Sequence, residues 1–233
     1  MEISAEKTKL MTYNTSGVNT EIKVNGQKLE TVTSFKYLGS VITDEGSKPE
    51  ILSRIAQATA ALTRLKPVWN DRSISLSSKI RLMRFLVTYI FLYACESWTL
   101  TAELQRRIQA MEMRCYRKIL HILYNNHVTN EEVCAKIQQA IGPHEDLLTI
   151  VKRRKLCLQW YCHVSLSSGL ARTILQGTVK GEREQGRQRK RWEDNIREWT
   201  GLGFGRSQRA VENRENLRKL VANHLWCPDD PRG

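Results

Sequence analysis

The stretch "PEILSRIAQATAALTRL", residues 49–65, decides the fold class. Its apolar side chains fall at Ile51, Ile55, Ala58, Leu62 and Leu65, the spacing of one face of an α-helix. Pro67 stands just beyond and is expected to end that helix. Moving outward, "SISLSSK" (73–79) supplies serine caps for a second helix bearing Ile80, Met83, Val87, Ile90 and Ala94. A third carries Leu104, Ile108, Met111, Cys115 and Ile119 on one side and Arg106, Arg107, Arg114, Arg117 and Lys118 on the other. Three amphipathic helices in succession imply a helical bundle.

On the N-terminal side the pattern changes. "TKLMTYN" (8–14), "EIKVNGQKLETV" (21–32) and "SFKYLGSVIT" (34–43) alternate or cluster β-formers, and Asn25-Gly26 is a strong hairpin signal. "TDEGSKPE" (43–50) reads as the turn into the first helix. On the C-terminal side, "YNNHVTNEEVCAKI" (124–137) holds a short capped helix, and Gly142-Pro143 marks a break. A further helix spans about Asp146 to Val164 and contains the basic group "KRRK" (152–155). "GTVKGEREQGRQ" (177–188) is Gly-rich and charged, as a linker would be, and helices are expected near 189–200 and 207–225. The fold class is therefore mainly α with a small N-terminal β portion. The expected divisions are 1–43 (β-rich), 44–126 (helical bundle), 127–176 (helical extension) and 177–233 (basic linker and helical tail).

Composition narrows the partners. With 37 Lys+Arg against 24 Asp+Glu, the formal charge of the 233 residues is +13. Such a surplus favours nucleic acid or an anionic membrane. The longest apolar run, "FLVTYIFLYAC" (85–95), is well short of the roughly 20 residues that a spanning helix needs, so no membrane partner is expected. The N-terminus "MEISAEKTKLM" is charged and has no signal-peptide core. The six cysteines are scattered, and reduced thiols in an intracellular protein are the default reading.

In "GRQRKRWEDNIREWTG" (186–201), Arg187, Arg189, Lys190 and Arg191 run directly into a helix with Trp192, Ile196 and Trp199 on one face. A solvated linker needs no such anchor. A segment that holds a polyanion against a packed body does, because neutralising phosphates is the main source of non-specific affinity. Gly181 and Gly186 would let the backbone approach a phosphate chain closely.

The succession "EISAEKTKLM", "FKYLGSVIT", "YACESWTL" and "GRQRKRWEDNIREWTG" resembles the C-terminal part of the endonuclease/reverse transcriptase of a non-LTR (LINE-type) retrotransposon. The resemblance runs to about Val221. It implies an edge of the polymerase palm with a primer-gripping hairpin, a helical thumb and a basic helical C-terminal domain. It also implies that Lys7, with Lys9 beside it, lies near an incoming nucleotide. Phe35, Tyr37, Leu38 and Gly39 would form the hairpin that holds the primer end. Arg106, Arg114 and Arg117 on the third helix join Arg187, Arg189, Lys190 and Arg191 as candidate contacts to nucleic acid, RNA or DNA.

The departures are as informative. The family's polymerase holds two magnesium ions on an aromatic-x-Asp-Asp pair and an earlier Asp. The sequence is expected to start beyond those strands, and its only Asp-Asp, Asp229-Asp230, lies in the tail "CPDDP". Ala94 stands where the family usually has Gly, and Cys162 precedes His163 where it usually has Gly. No catalytic residue and no cofactor are therefore assigned to this chain. The expected role is binding of template–primer nucleic acid without polymerisation, in an intracellular ribonucleoprotein, nuclear or cytoplasmic. The alternative is a host-recruited nucleic-acid-binding or protein-interaction scaffold. Cys157, Cys162 and His163, with Cys134 or His144, lack the short Cys-x2–4-Cys spacing of a structural zinc site, so no metal is expected there. There is no Walker loop and no dinucleotide fingerprint.

Overall fold

The computed structural model describes residues 4, 8–12, 21–165 and 189–202. The side chains of Tyr124 and of 159–165 fall outside that description, as do Lys7, Arg187, the 177–188 linker, the 207–225 helix and Asp229-Asp230. The described part is mainly helical with a few short N-terminal strands. Its α-helices are α1 (Lys48–Arg64), α2 (Lys66–Asn70), α3 (Leu76–Phe91), α4 (Ala102–Ile119), α5 (Asn130–Ile141), α6 (Leu147–Ser165) and α7 (Trp192–Thr200).

The N-terminal β portion is three separate two-stranded ladders rather than one sheet edge. Strand β1 (Lys9–Leu10) pairs in parallel with β4 (Glu30–Thr31), β2 (Lys23–Val24) with β3 (Gln27–Lys28), and β5 (Ser34–Tyr37) with β6 (Ser40–Thr43). Asn25 (φ 51°) and Gly26 (φ 80°) both take positive φ between β2 and β3, as a two-residue hairpin turn requires.

Local chemistry sets the helix ends. Ser75, Thr101 and Thr129 each accept a backbone N–H from the residue three positions on, which starts α3, α4 and α5. Pro67 does not end the first helix: α1 stops at Arg64, and Pro67 sits in the first turn of α2, where its missing N–H costs no hydrogen bond. Trp69 then plugs α2 into the body, its indole Nε1 donating to the Leu62 carbonyl at 2.7 Å.

One core joins the helices. It includes Ile51, Ala58 and Leu62 of α1, Ile80, Met83, Val87 and Phe91 of α3, and Leu104, Ile108 and Met111 of α4. Val133 and Ile137 of α5 and Leu147, Leu148 and Val151 of α6 belong to it as well, so it runs straight through the 126/127 point. The stripe on α3 differs from the expected one. Phe91 is fully buried, Ile90 faces solvent, and Ala94 lies beyond the helix in the left-handed region (φ 57°). Between α4 and α6, the buried carboxylate of Glu112 accepts the Leu147 N–H and the Tyr116 hydroxyl, both at 3.0 Å, and so caps the start of α6. Burial pushes the Glu112 carboxyl up to about 7.

Candidate nucleic-acid interface

The β5–β6 hairpin is held by a polar clamp from the helical body. Its turn is Leu38-Gly39, with φ of 47° and 86°, and both values lie in the left-handed region. Gly39 accepts that conformation freely, whereas Leu38 is strained in it. The strain is held from below. Buried Arg54 donates through Nη2 to the Gly39 carbonyl at 2.6 Å and through Nε to Glu50 Oε1 at 2.7 Å. Glu50 Oε2 in turn accepts the Val41 N–H at 2.7 Å. The Tyr93 hydroxyl donates to the Leu38 carbonyl, and the Arg54 guanidinium lies 4.5 Å over the Tyr93 ring. The result is a rigid tip that carries Tyr37 and Leu38 out into water, while Phe35 is half-buried. Between this hairpin, the start of α1 and the 93–98 segment lies a cavity of about 600 Å³.

Two further sets of predicted residues occupy different places. On α4, Arg106, Arg114, Arg117 and Lys118 border a cleft of about 960 Å³ with Met113, Ile122 and Leu123 in its wall. Arg117 is committed inside the fold, because its guanidinium donates to the Val128 carbonyl at 3.0 Å and to Asn130 Oδ1 at 2.7 Å. Arg107, on the same cationic side, is paired with Glu103 at 2.8 Å. Arg106, Arg114 and Lys118 are exposed and have no carboxylate within salt-bridge distance among the described residues.

The third set is the cationic run ahead of α7. Arg189 donates to the Asp44 carbonyl at 3.0 Å, which brings the run against the end of the β5–β6 hairpin, 145 residues away in sequence. Lys190 is paired with Glu198. Arg191 is exposed, and its backbone N–H donates to Asp194 Oδ2 at 2.7 Å, the reciprocal half of a capping box.

The tryptophans have a function that the sequence did not reveal. Lys155 of α6, the last residue of "KRRK", is fully buried. Its ammonium donates to the Trp98 carbonyl and to Asn195 Oδ1, each at 2.8 Å. It lies 4.8 Å from the Trp192 ring and 5.4 Å from the Trp199 ring. Asn195, also fully buried, accepts the Leu100 N–H and donates to the Leu100 carbonyl, both at 2.7 Å. Trp192 Nε1 donates to the Glu96 carbonyl at 2.8 Å. Thus α7 is fastened to the core by a caged cation and one amide. Burial, and secondarily Lys190, pulls the Lys155 ammonium down to about 7. The signal was present in the sequence, because Leu148, Val151 and Lys155 fall on one helical stripe.

Of the residues considered for zinc, Cys157 is exposed and Cys134 half-buried, and His144 meets the Tyr116 hydroxyl at 3.3 Å. The side chains of Cys162 and His163 lie outside the described residues. No protein-family model matches the chain, and no curated protein or solved structure matches it either.

Proposed function

We propose that this chain binds template–primer nucleic acid as the thumb and C-terminal part of a non-LTR reverse-transcriptase-like protein, within an intracellular ribonucleoprotein. The observation that carries the reading is the α4 cleft. Three exposed cations, Arg106, Arg114 and Lys118, border one concavity with no acidic partner among the described residues. Solvated helix faces usually alternate their charges, whereas a row of one sign beside a groove suits a polyanion. The pinned hairpin and the run docked beside Asp44 support the same reading, since the run meets the open end of the hairpin whose tip carries Tyr37 and Leu38. Ala94 supports the resemblance itself: the family has Gly at this position, and the backbone here is left-handed.

The role is binding, not polymerisation. Two-metal phosphoryl transfer needs convergent carboxylates. The only Asp-Asp of the sequence, Asp229-Asp230, lies in the tail "CPDDP", outside the described residues, and no magnesium site is proposed for this chain.

The test is the salt dependence of duplex binding by the full chain. Each phosphate contact on B-DNA contributes about 0.9 to the slope of log affinity against log salt. Replacing Arg106, Arg114 and Lys118 by Ala is expected to flatten that slope by roughly 2 to 3, with helix content intact. If this triple variant and a second one at Arg189, Lys190 and Arg191 both keep the parental slope and affinity, the reading fails.

A further inference from the structure

The face of α3 turned away from the core is apolar and aromatic. Phe85 is 68% exposed, Tyr89 59% and Tyr93 46%. Arg81, Phe85 and Tyr89 follow one another at i, i+4 spacing, and Tyr93 continues the row just past the helix end. The Phe85 and Tyr89 rings are 5.5 Å apart. Guanidinium groups lie over this row, Arg154 5.8 Å from the Tyr89 ring and Arg54 4.5 Å from the Tyr93 ring. Through the Tyr93–Leu38 hydrogen bond the row joins the hairpin tip, where Tyr37 is also exposed. A contiguous apolar patch of this kind marks an interaction surface.

We propose that this row is a stacking track for an unpaired single strand of nucleic acid, distinct from the α4 cleft. The proposal rests on the nucleic-acid reading above and adds a substrate class to it. Charge complementarity selects the occupant. Arg81 stands exposed at the head of the row, and helix α3 carries no carboxylate. The acids beside it are already engaged, Glu145 by Arg153 at 2.9 Å and Glu96 by Arg154 at 3.7 Å. A second copy of this chain would bring the same aromatic row and its Arg81, and no carboxylate from α3, to this face. An unpaired strand offers what the row lacks, flat π faces for the rings and a phosphate for the exposed Arg81. A duplex hides its base faces and cannot stack this way.

The experiment uses the full chain and a short single-stranded oligonucleotide carrying a fluorescent adenine analogue, with a matched duplex alongside. Binding is expected to quench the analogue by stacking. Phe85→Ala with Tyr89→Ala is expected to weaken single-strand binding by roughly 10-fold or more and to abolish the quenching. Duplex affinity and both salt slopes are expected to stay at parental values. Phe85→Leu, which keeps the apolar bulk and drops the π face, is expected to show a smaller loss in the same direction. Unchanged single-strand affinity and quenching in these variants, with duplex binding intact, would overturn the track and leave the α4 reading standing. A parent protein that binds neither form overturns both. Loss of self-association, or of binding to anionic vesicles, with single-strand binding untouched would assign the row to another occupant and also overturn the proposal.

Discussion

Asn195→Ala should release α7 from the body without unfolding the bundle. Asn195 makes three hydrogen bonds in a place closed to water: to the Leu100 N–H, to the Leu100 carbonyl and from the Lys155 ammonium. Alanine leaves both Leu100 groups buried and unpaired, at about 1–3 kcal/mol each, and takes one of the two acceptors from the caged ammonium. The total is about 3–6 kcal/mol. A nine-residue helix cannot absorb that cost, because isolated helices of this length are marginal in water. Its remaining ties are buried Ile196, the Lys155 ammonium against the Trp192 and Trp199 rings, the bond from Trp192 to Glu96, that from Arg189 to Asp44 and the partly buried face of Trp199. Undocking is the cheaper escape, so the loss is capped at the docking free energy of α7. Hydrogen exchange is the direct assay: amides of 192–200 should lose protection while those of α1, α3 and α4 keep it. Tryptophan emission should shift to the red as Trp192 and Trp199 meet water. If docking and global unfolding are coupled, the melting temperature instead falls by roughly 6–20 °C for a chain of this size. Parental exchange in 192–200 together with a melting temperature within about 2 °C of the parent would refute the claim that this amide fastens the helix.

Three other outcomes are expected. Ala94→Gly should raise stability by about 0.5–1 kcal/mol, because a left-handed residue with a Cβ costs more than the extra entropy of glycine; a lower melting temperature would contradict this. Glu112 is raised from 4.5 to about 7 in the fold, so the native state holds its proton where the unfolded chain has lost it, and stability falls as pH rises from 4.5 to 7, by about 3 kcal/mol. Glu112→Gln should remove that slope in melts across the same range. Lys155 is lowered from 10.5 to about 7, so the unfolded chain holds the extra proton and stability rises with pH between those values, by at most about 5 kcal/mol, since two oxygens and two indole faces favour the ammonium. Lys155→Met should flatten that rise, and an unchanged alkaline profile would show that Lys155 does not titrate there.

Most of the fold was legible because the code for it is local. Spacing placed the helices, Ser75, Thr101 and Thr129 marked where three of them begin, and Asn25-Gly26 located a hairpin through its backbone alone. Spacing failed on α3 for a physical reason. From Ile80 to Leu92 the helix is apolar almost all round, so periodicity shows that some face is buried but not which one. Tertiary packing chose Phe91 over Ile90 and left Phe85 and Tyr89 outside. The aromatic row was therefore read only as an apolar run too short to cross a membrane.

The candidate site was less legible, because charge is counted locally but neutralised at a distance. Within "KRRK", four similar residues have different fates: Lys155 is sealed under two indoles, Arg154 reaches Glu96 and Arg153 reaches Glu145. Lys152 lies 5.6 Å from the Trp199 ring. The run before α7 divides in the same way, with Lys190 taken by Glu198 and Arg189 spent on a carbonyl of the hairpin. The tryptophans beside that run also hold a cation from another helix. Their position next to that run follows from the docking: the cage fixes the start of α7, and the start of α7 fixes where Arg191 can reach. A net charge of +13 thus overstates the surface available to a polyanion. Among the predicted α4 contacts, Arg106, Arg114 and Lys118 remain unengaged by carboxylates, and they are where a salt-dependent affinity should originate.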